Sequence, residues 1–231
     1  MSHYNVAVFH RPDQDIDDLL APYSEELKVE PYKVYTKQEA IEHARKYYES
    51  YADKSDEECY EMMASGYTTD DEGNLYSTYN PDSKWDWYSE GGRWGGFLRR
   101  KSDGKEVDEG RVGDLDFGID QDDYERSLRY WDVIVDHKPQ EPGEDFHSMY
   151  KEEYYKEYYG DRDTYARHCA QFSTFAVLTP DGVWHEKGKM GWFGCSSETA
   201  DEAKDWEDHY EERFLKTADP DWILTIVDCH I

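Results

Sequence analysis

The stretch Trp222-Ile223-Leu224-Thr225-Ile226-Val227-Asp228-Cys229-His230 decides the fold. Successive side chains on a strand point to opposite faces. Trp222, Leu224 and Ile226 therefore share one face, and Ile223, Thr225 and Val227 share the other. A strand apolar on both faces belongs inside a sheet that is covered on both sides. Working outward, residues 4–10 alternate Val6 and Val8 with Ala7 and Phe9 until Arg11-Pro12 stops the strand. Residues 172–178 and 183–186 form a hairpin across Thr179-Pro180-Asp181-Gly182. Residues 33–35, 94–100 and 131–136 read as further strands, the last on its Val133-Ile134-Val135 run.

Helices begin at three capping boxes, Thr36-x-x-Glu39, Ser55-x-x-Glu58 and Thr199-x-x-Glu202. They are expected to run to about residue 50, to Gly66 and to about Thr217. Residues 146–159 form a fourth helix, with Tyr150, Tyr154 and Tyr158 on one face. Strands at both ends and in the middle, with helices between, predict an α+β fold. Its mainly antiparallel sheet holds the N- and C-terminal strands in the core, with helices packed on it. One domain is expected over residues 1–231, with residues 55–130 as an elaboration that carries a Trp/Gly-rich segment.

Charge narrows the function classes. Acids number 54 against 26 bases, a net charge of −28. Direct nucleic-acid binding needs Lys and Arg on phosphates and is disfavoured. Anionic membranes repel such a chain, while a basic protein surface attracts it at long range. No apolar run approaches membrane-spanning length. The four cysteines, Cys59, Cys169, Cys195 and Cys229, share no short spacing, so neither a disulfide framework nor a zinc knuckle is expected. With no basic, apolar signal region at the N-terminus, the expected compartment is the cytoplasm.

Five constellations carry chemical interest. The segment Asn80-Pro-Asp-Ser-Lys-Trp-Asp-Trp-Tyr-Ser-Glu-Gly-Gly-Arg-Trp94 is rich in tryptophan and glycine. Its Arg93 fork suits carboxylate or phosphate. Trp85, Trp87 and Trp94 offer stacking surfaces, or hold Arg93 by cation–π contact. The competing reading is a tightly turned, tryptophan-packed corner. At the C-terminal strand, Asp228 and His230 point to one side and are candidate acid/base partners. His3 and His10 complete that group if the two terminal strands are neighbours. In Lys189-Met-Gly-Trp-Phe-Gly-Cys195, Trp192 is a candidate wall of the Arg93 pocket, and Cys195 is more readily a plain thiol than a nucleophile.

Asp114, Asp116, Gly118, Asp120, Asp122 and Glu125 approach calcium-loop spacing, but Ile119 occupies the place that needs glycine. No metal and no cofactor are therefore expected. Finally, Asp201, Asp205, Asp208 and Glu212 form an acidic row on the 198–212 helix, recurring about every 5–6 Å along the axis. Such a row is either solvated, a partner surface, or a mimic of DNA phosphates.

The blocks Asn80-Pro-x-Ser-Lys-Trp-Asp-Trp-Tyr-x-x-Gly-Gly-Arg-Trp94, Gly188-x-Met-Gly-Trp-Phe-Gly194 and Val227-Asp-Cys-His-Ile231 resemble a family of functionally unassigned proteins of bacteriophages and prophage-carrying genomes. The resemblance implies that the three blocks matter together, and it implies no activity. The leading expectation is a phage-type accessory protein that binds a basic surface of a host protein, a defence factor among the targets. Its acidic, tyrosine-rich surface would include Tyr154 and Tyr158 with the Asp201–Glu212 row. The alternatives are a DNA mimic, or a site for a nucleotide or other small anion. In the latter, Arg93 and the rings of Trp85, Trp87, Trp94 and Trp192 bind, and Asp228 and His230 carry protons.

Overall fold

The computed structural model describes residues 2–231 apart from the Trp192 side chain. In it the two apolar strands pair with each other. Strand β1 (His3–His10) runs antiparallel to β12 (Ile223–His230) over its whole length, from His3 opposite His230 to His10 opposite Ile223. Beyond the strand ends, Ser2 and Ile231 exchange two more backbone hydrogen bonds of 3.0 and 3.1 Å. Leu224 to His230 are all buried, as a strand apolar on both faces requires. Each fully buried Leu or Ile there contributes roughly 1.5–3 kcal/mol.

The fold is α+β, and its Cα packing falls into two compact units: Ala21–Trp85, and the segment up to Leu20 joined with Asp86–Ile231. The larger unit holds α1 (Ile16–Leu20), β5 (Trp87–Glu90), β6 (Leu98–Arg100), β7 (Glu106–Val107), β8 (Glu109–Arg111) and β9 (Leu115–Asp116). It continues through α4 (Gln121–Ile134), α5 (Glu152–Tyr159), α6 (Arg162–Ala170), β10 (Ala176–Leu178), β11 (Trp184–Glu186) and α7 (Ala200–Tyr210). The main sheet has the order β11-β10-β1-β12-β5, with β8 also on β12. All its pairs are antiparallel except β1 with β10, where Val6, Ala7 and Val8 face Ala176, Val177 and Leu178 in parallel. One face, carrying Ala7, Phe9, Val177, Leu224 and Ile226, packs against Trp206, Tyr210 and Phe214. A small sheet, β7-β6-β9, adds Leu98 and Leu115 to that core.

The smaller unit contains β2 (Lys28–Tyr35), α2 (Lys37–Tyr47), α3 (Asp56–Ala64), β3 (Thr68–Thr69) and β4 (Leu75–Tyr79). Its sheet order is β2-β4-β3, and its core is Ala40, Ile41, Ala44, Cys59, Met63 and Leu75. All three predicted capping boxes form, each with its Ser or Thr side chain on the N3 amide and the N3 glutamate returning to the cap.

Two expectations are corrected. Residues 131–136 are not a strand: 131–134 are the last turn of α4, and Val135 caps it. Asp120 caps that helix by accepting from Asp123 N, and Tyr124, Leu128, Trp131 and Val135 recur at helical spacing. A short run of β-branched residues does not separate helix from strand by itself. The tyrosine helix is also shorter than expected: α5 begins at Glu152, and Tyr150 precedes it while still stacking on Tyr154 at 4.4 Å between centroids.

Before α5, Arg129 grips Glu144 with two bonds of 2.7 and 2.6 Å. With Glu141 N also donating, this holds the Glu144 carboxyl down to about 2 from an ordinary 4.5. A depressed folded-state value means the contribution is complete above the unfolded value and lost as pH falls toward 2. Thermal melts should therefore show Glu144→Gln less stable than the wild type at pH 6 and indistinguishable from it near pH 2. A constant gap across that range would refute the pairing as the cause. Among the described residues no helix is long and apolar enough to cross a membrane.

Candidate functional site

The pairing of β1 with β12 and of β12 with β5 sets His3, His230 and Trp87 in one row across three strands. Cross-strand neighbours of this kind touch. Trp87 stacks on His230 at 4.9 Å with 16° between planes, and His3 meets both rings edge-on. Asp228 and His230 point to one side as expected, but each takes a different partner. His3 Nδ1 bonds Asp228 Oδ1 at 2.8 Å, and His230 Nδ1 bonds Asp86 Oδ1 at 2.6 Å. Asp228 Oδ2 also accepts the Arg93 backbone N–H at 3.1 Å. His10 sits at the far end of β1, on Thr225 Oγ1 at 3.1 Å. Both Asp228 and His230 are buried, at 2% and 5% exposure.

The Gly91–Gly96 turn is built on carboxylates of the same unit. Gly92 and Gly91 adopt φ of +53° and +63° and lie against Asp228 and Asp108. Gly96 N donates to Asp108 Oδ1 at 2.6 Å. These amides are spent on the protein itself, which is the packed-corner arrangement. Trp94 packs against the main core, Trp85 belongs to the smaller unit, and the Trp192 side chain lies outside the described atoms. The Arg93 guanidinium is exposed and has no hydrogen bond or ion pair among the described residues. Of the predicted anion-site residues, Trp87, Asp228, His230 and the Arg93 backbone are brought together.

The expected tyrosine face opens onto something larger. A cavity of about 730 Å³ is lined by Tyr150, Tyr154, Tyr155, Tyr159 and Tyr165. Its other walls bring Glu106 from β7, Asp116, Asp120 and Asp123 from the stretch joining β9 to α4, and Glu207 from α7. Arg99 is its one arginine, and it is held by Asp120 at 3.0 Å and Asp116 at 3.5 Å. Glu207 is answered by His168 at 2.5 Å and Lys187 at 3.4 Å. Burial pushes the Tyr154, Tyr159 and Tyr165 hydroxyls up, so they stay protonated and their rings neutral. Tyr154 and Tyr158 stack at 5.7 Å, and Tyr158 donates to Ala200 O at 3.2 Å.

Cys169 also lines the cavity, and although part of it meets solvent, its surroundings desolvate the thiol and raise its pKa. All four cysteines are free, and Cys195 is exposed. The acids with calcium-like spacing serve turns and caps instead, Asp116 accepting from Gly118 N and Asp120 from Asp123 N. Among the described residues no group of three or more His, Cys, Asp or Glu is arranged to hold a metal ion.

On α7 the acidic row is largely neutralised from within. Asp205 pairs with Arg213 at 2.7 Å, Asp208 with Lys204 at 2.7 Å, and Glu212 with Lys216. The row also loses its spacing, because a π-helical turn over residues 211–215 follows α7. Of the four, Asp201 alone makes no ion pair among the described residues. The cavity's carboxylate wall escaped the sequence because Glu106, the Asp116–Asp123 stretch and Glu207 meet only through tertiary structure, while the tyrosine wall had a helical period. Comparison with known proteins finds no match for this chain, whether among family models, curated proteins or solved structures, so the chemistry of its site rests on its own residues.

Proposed function

We propose that the protein binds a basic segment of a partner protein in the tyrosine-lined cavity, with arginine or lysine side chains as the anchors. The observation that carries this reading is the lining: five tyrosines beside five carboxylates, of which Glu106 and Asp123 make no ion pair among the described residues. A guanidinium over a tyrosine face gains about 0.5–2 kcal/mol as it is desolvated. Tyrosine is enriched at protein interfaces, and a chain of net charge −28 draws basic partners at long range. The internal ion pairs of α7 weigh against DNA mimicry by the Asp201–Glu212 row. The alternative site at Arg93 finds its proton carriers committed, Asp228 to His3 and His230 to Asp86. The resemblance to phage-associated proteins supplies the setting, a host protein met in the host cytoplasm.

Calorimetric titration with a short arginine-rich peptide tests the reading, with a glutamate-rich peptide as control. Tyr154→Ala and Asp123→Asn, both at exposed positions, should each weaken binding about tenfold. Affinity should fall steeply as ionic strength approaches about 1 M. Binding that is unaffected by both variants, or no binding of the basic peptide, would refute it.

A further inference from the structure

A second cavity lies elsewhere in the larger unit and has the opposite character. It is an open cavity of about 370 Å³ where β1 and β10 of the main sheet end. Strands β1 and β10 run in parallel and both end there, contributing Phe9 and Arg11 from one and Thr179, Pro180 and Asp181 from the other. The carboxyl ends of adjacent parallel strands are where crevices for ligands open in sheets covered by helices. The floor is aromatic: Phe9 is buried, Phe214 is 8% exposed, and Trp222 is half-buried. His185 adds a ring 5.3 Å from Phe214.

Its polar groups are basic in a chain that is overwhelmingly acidic. Arg11, Arg213 and His185 line it, with Asp181 as its one carboxylate. Asp181 is already occupied, accepting from Thr179 Oγ1 at 2.6 Å. Arg213 reaches the wall with one side on Asp205. Arg11 is exposed, and its guanidinium makes no hydrogen bond or ion pair among the described residues. Eight of the eleven arginines pair with a carboxylate, so an unpaired one at a cavity mouth stands out.

The rim is preformed. Gln14 accepts from Arg11 N at 2.9 Å and donates to Pro180 O at 2.9 Å, tying the ends of β1 and β10 together. Another wall is the π-helical turn, whose widened step shows in the Lys216 N to Glu211 O bond of 2.9 Å. Such turns are rare and concentrate at functional sites. Here it brings Arg213 and Phe214 to the cavity.

We infer that this cavity binds a small aromatic anion, a planar ring carrying one carboxylate or phosphate. The ring lies on Trp222 and Phe214 and the anion takes the free fork of Arg11, which matches either group with two parallel hydrogen bonds. The volume accommodates one ring system with its substituent. The site is independent of the tyrosine cavity and shares no lining residue with it.

Calorimetry with adenosine monophosphate and with indole-3-carboxylate tests the assignment, with adenosine, indole and inorganic phosphate as controls. At least one ring-bearing anion should bind with Kd below about 1 mM. The neutral rings and bare phosphate should each bind at least about tenfold more weakly. Arg11→Gln should weaken the anion about tenfold and Arg11→Lys less, with the thermal melt unchanged because the side chain supports nothing else in the fold. Which anion binds better separates a phosphate-bearing from a carboxylate-bearing ligand. The inference fails if neither anion binds, if Arg11→Gln binds as the wild type does, or if phosphate alone binds as tightly as the ring-bearing anions.

Discussion

Gly92→Ala should destabilise the larger unit by about 2–5 kcal/mol, combining left-handed backbone strain with overpacking. Gly92 holds φ at +53°, and a Cβ there would come within 2.6 Å of Asp228 Oδ2 and 2.7 Å of Ser89 Oγ. Asp228 cannot yield freely, because it is buried and bonds both His3 Nδ1 and Arg93 N. Against a typical total of about 5–15 kcal/mol the loss is large, and the melting temperature should drop by roughly 10 °C. Gly104→Ala separates the two causes. Its φ is +67°, but nothing lies within 4 Å of the added carbon, so it carries the backbone cost alone. Equal losses in the two variants would mean that Asp228 moves aside and that the close approach carries no energy.

Trp206→Ala should cost about 3–5 kcal/mol, as truncation of a core tryptophan does. Trp206 is 6% exposed on the inner face of α7, with ring contacts to Tyr210 at 5.8 Å and Phe214 at 5.3 Å. Its Nε1–H donates to Thr174 O at 2.9 Å, and Thr174 in turn bonds the Tyr210 hydroxyl at 2.7 Å. Trp206→Phe keeps much of the ring contact and strands the carbonyl, so it should cost about 1–2 kcal/mol. Urea unfolding followed by circular dichroism gives both values. If alanine and phenylalanine proved equally costly, the hydrogen bond rather than the packing would be holding α7 to the sheet.

Legibility in the sequence followed the range of the interaction. The capping boxes at Thr36, Ser55 and Thr199 depend on residues three apart, and all three form. The doubly apolar β12 announced its central place through its own alternation. Val133-Ile134-Val135 misled because β-branched residues favour strands while the helical spacing of Tyr124, Leu128 and Trp131 lay outside that short window. The parallel register of β1 on β10 had no local signal. The sites divide in the same way. Tyr154 and Tyr158 showed a helical face, but Glu106, Asp116 and Glu207 joined it only through tertiary structure. Asp228 and His230 were visible as a pair, yet their partners His3 and Asp86 depended on which strands lay beside β12. Arg11 read only as the end of a strand, and the π-helical turn that lines the same cavity has no sequence signature.

The β1–β12 pairing has a kinetic consequence. His3 and Asp228 touch across 225 residues of sequence, so the centre of the sheet closes a very long loop. Contacts of such separation form late, because the chain must give up loop entropy before they return any stabilisation. During synthesis β1 leaves the ribosome with its central partner still untranslated, and its apolar Val6, Val8 and Phe9 must wait in a partly folded chain. The smaller unit, whose strands pair within residues 28–79, meets no such delay. Refolding should accordingly be biphasic, with the Ala21–Trp85 unit forming before the main sheet closes.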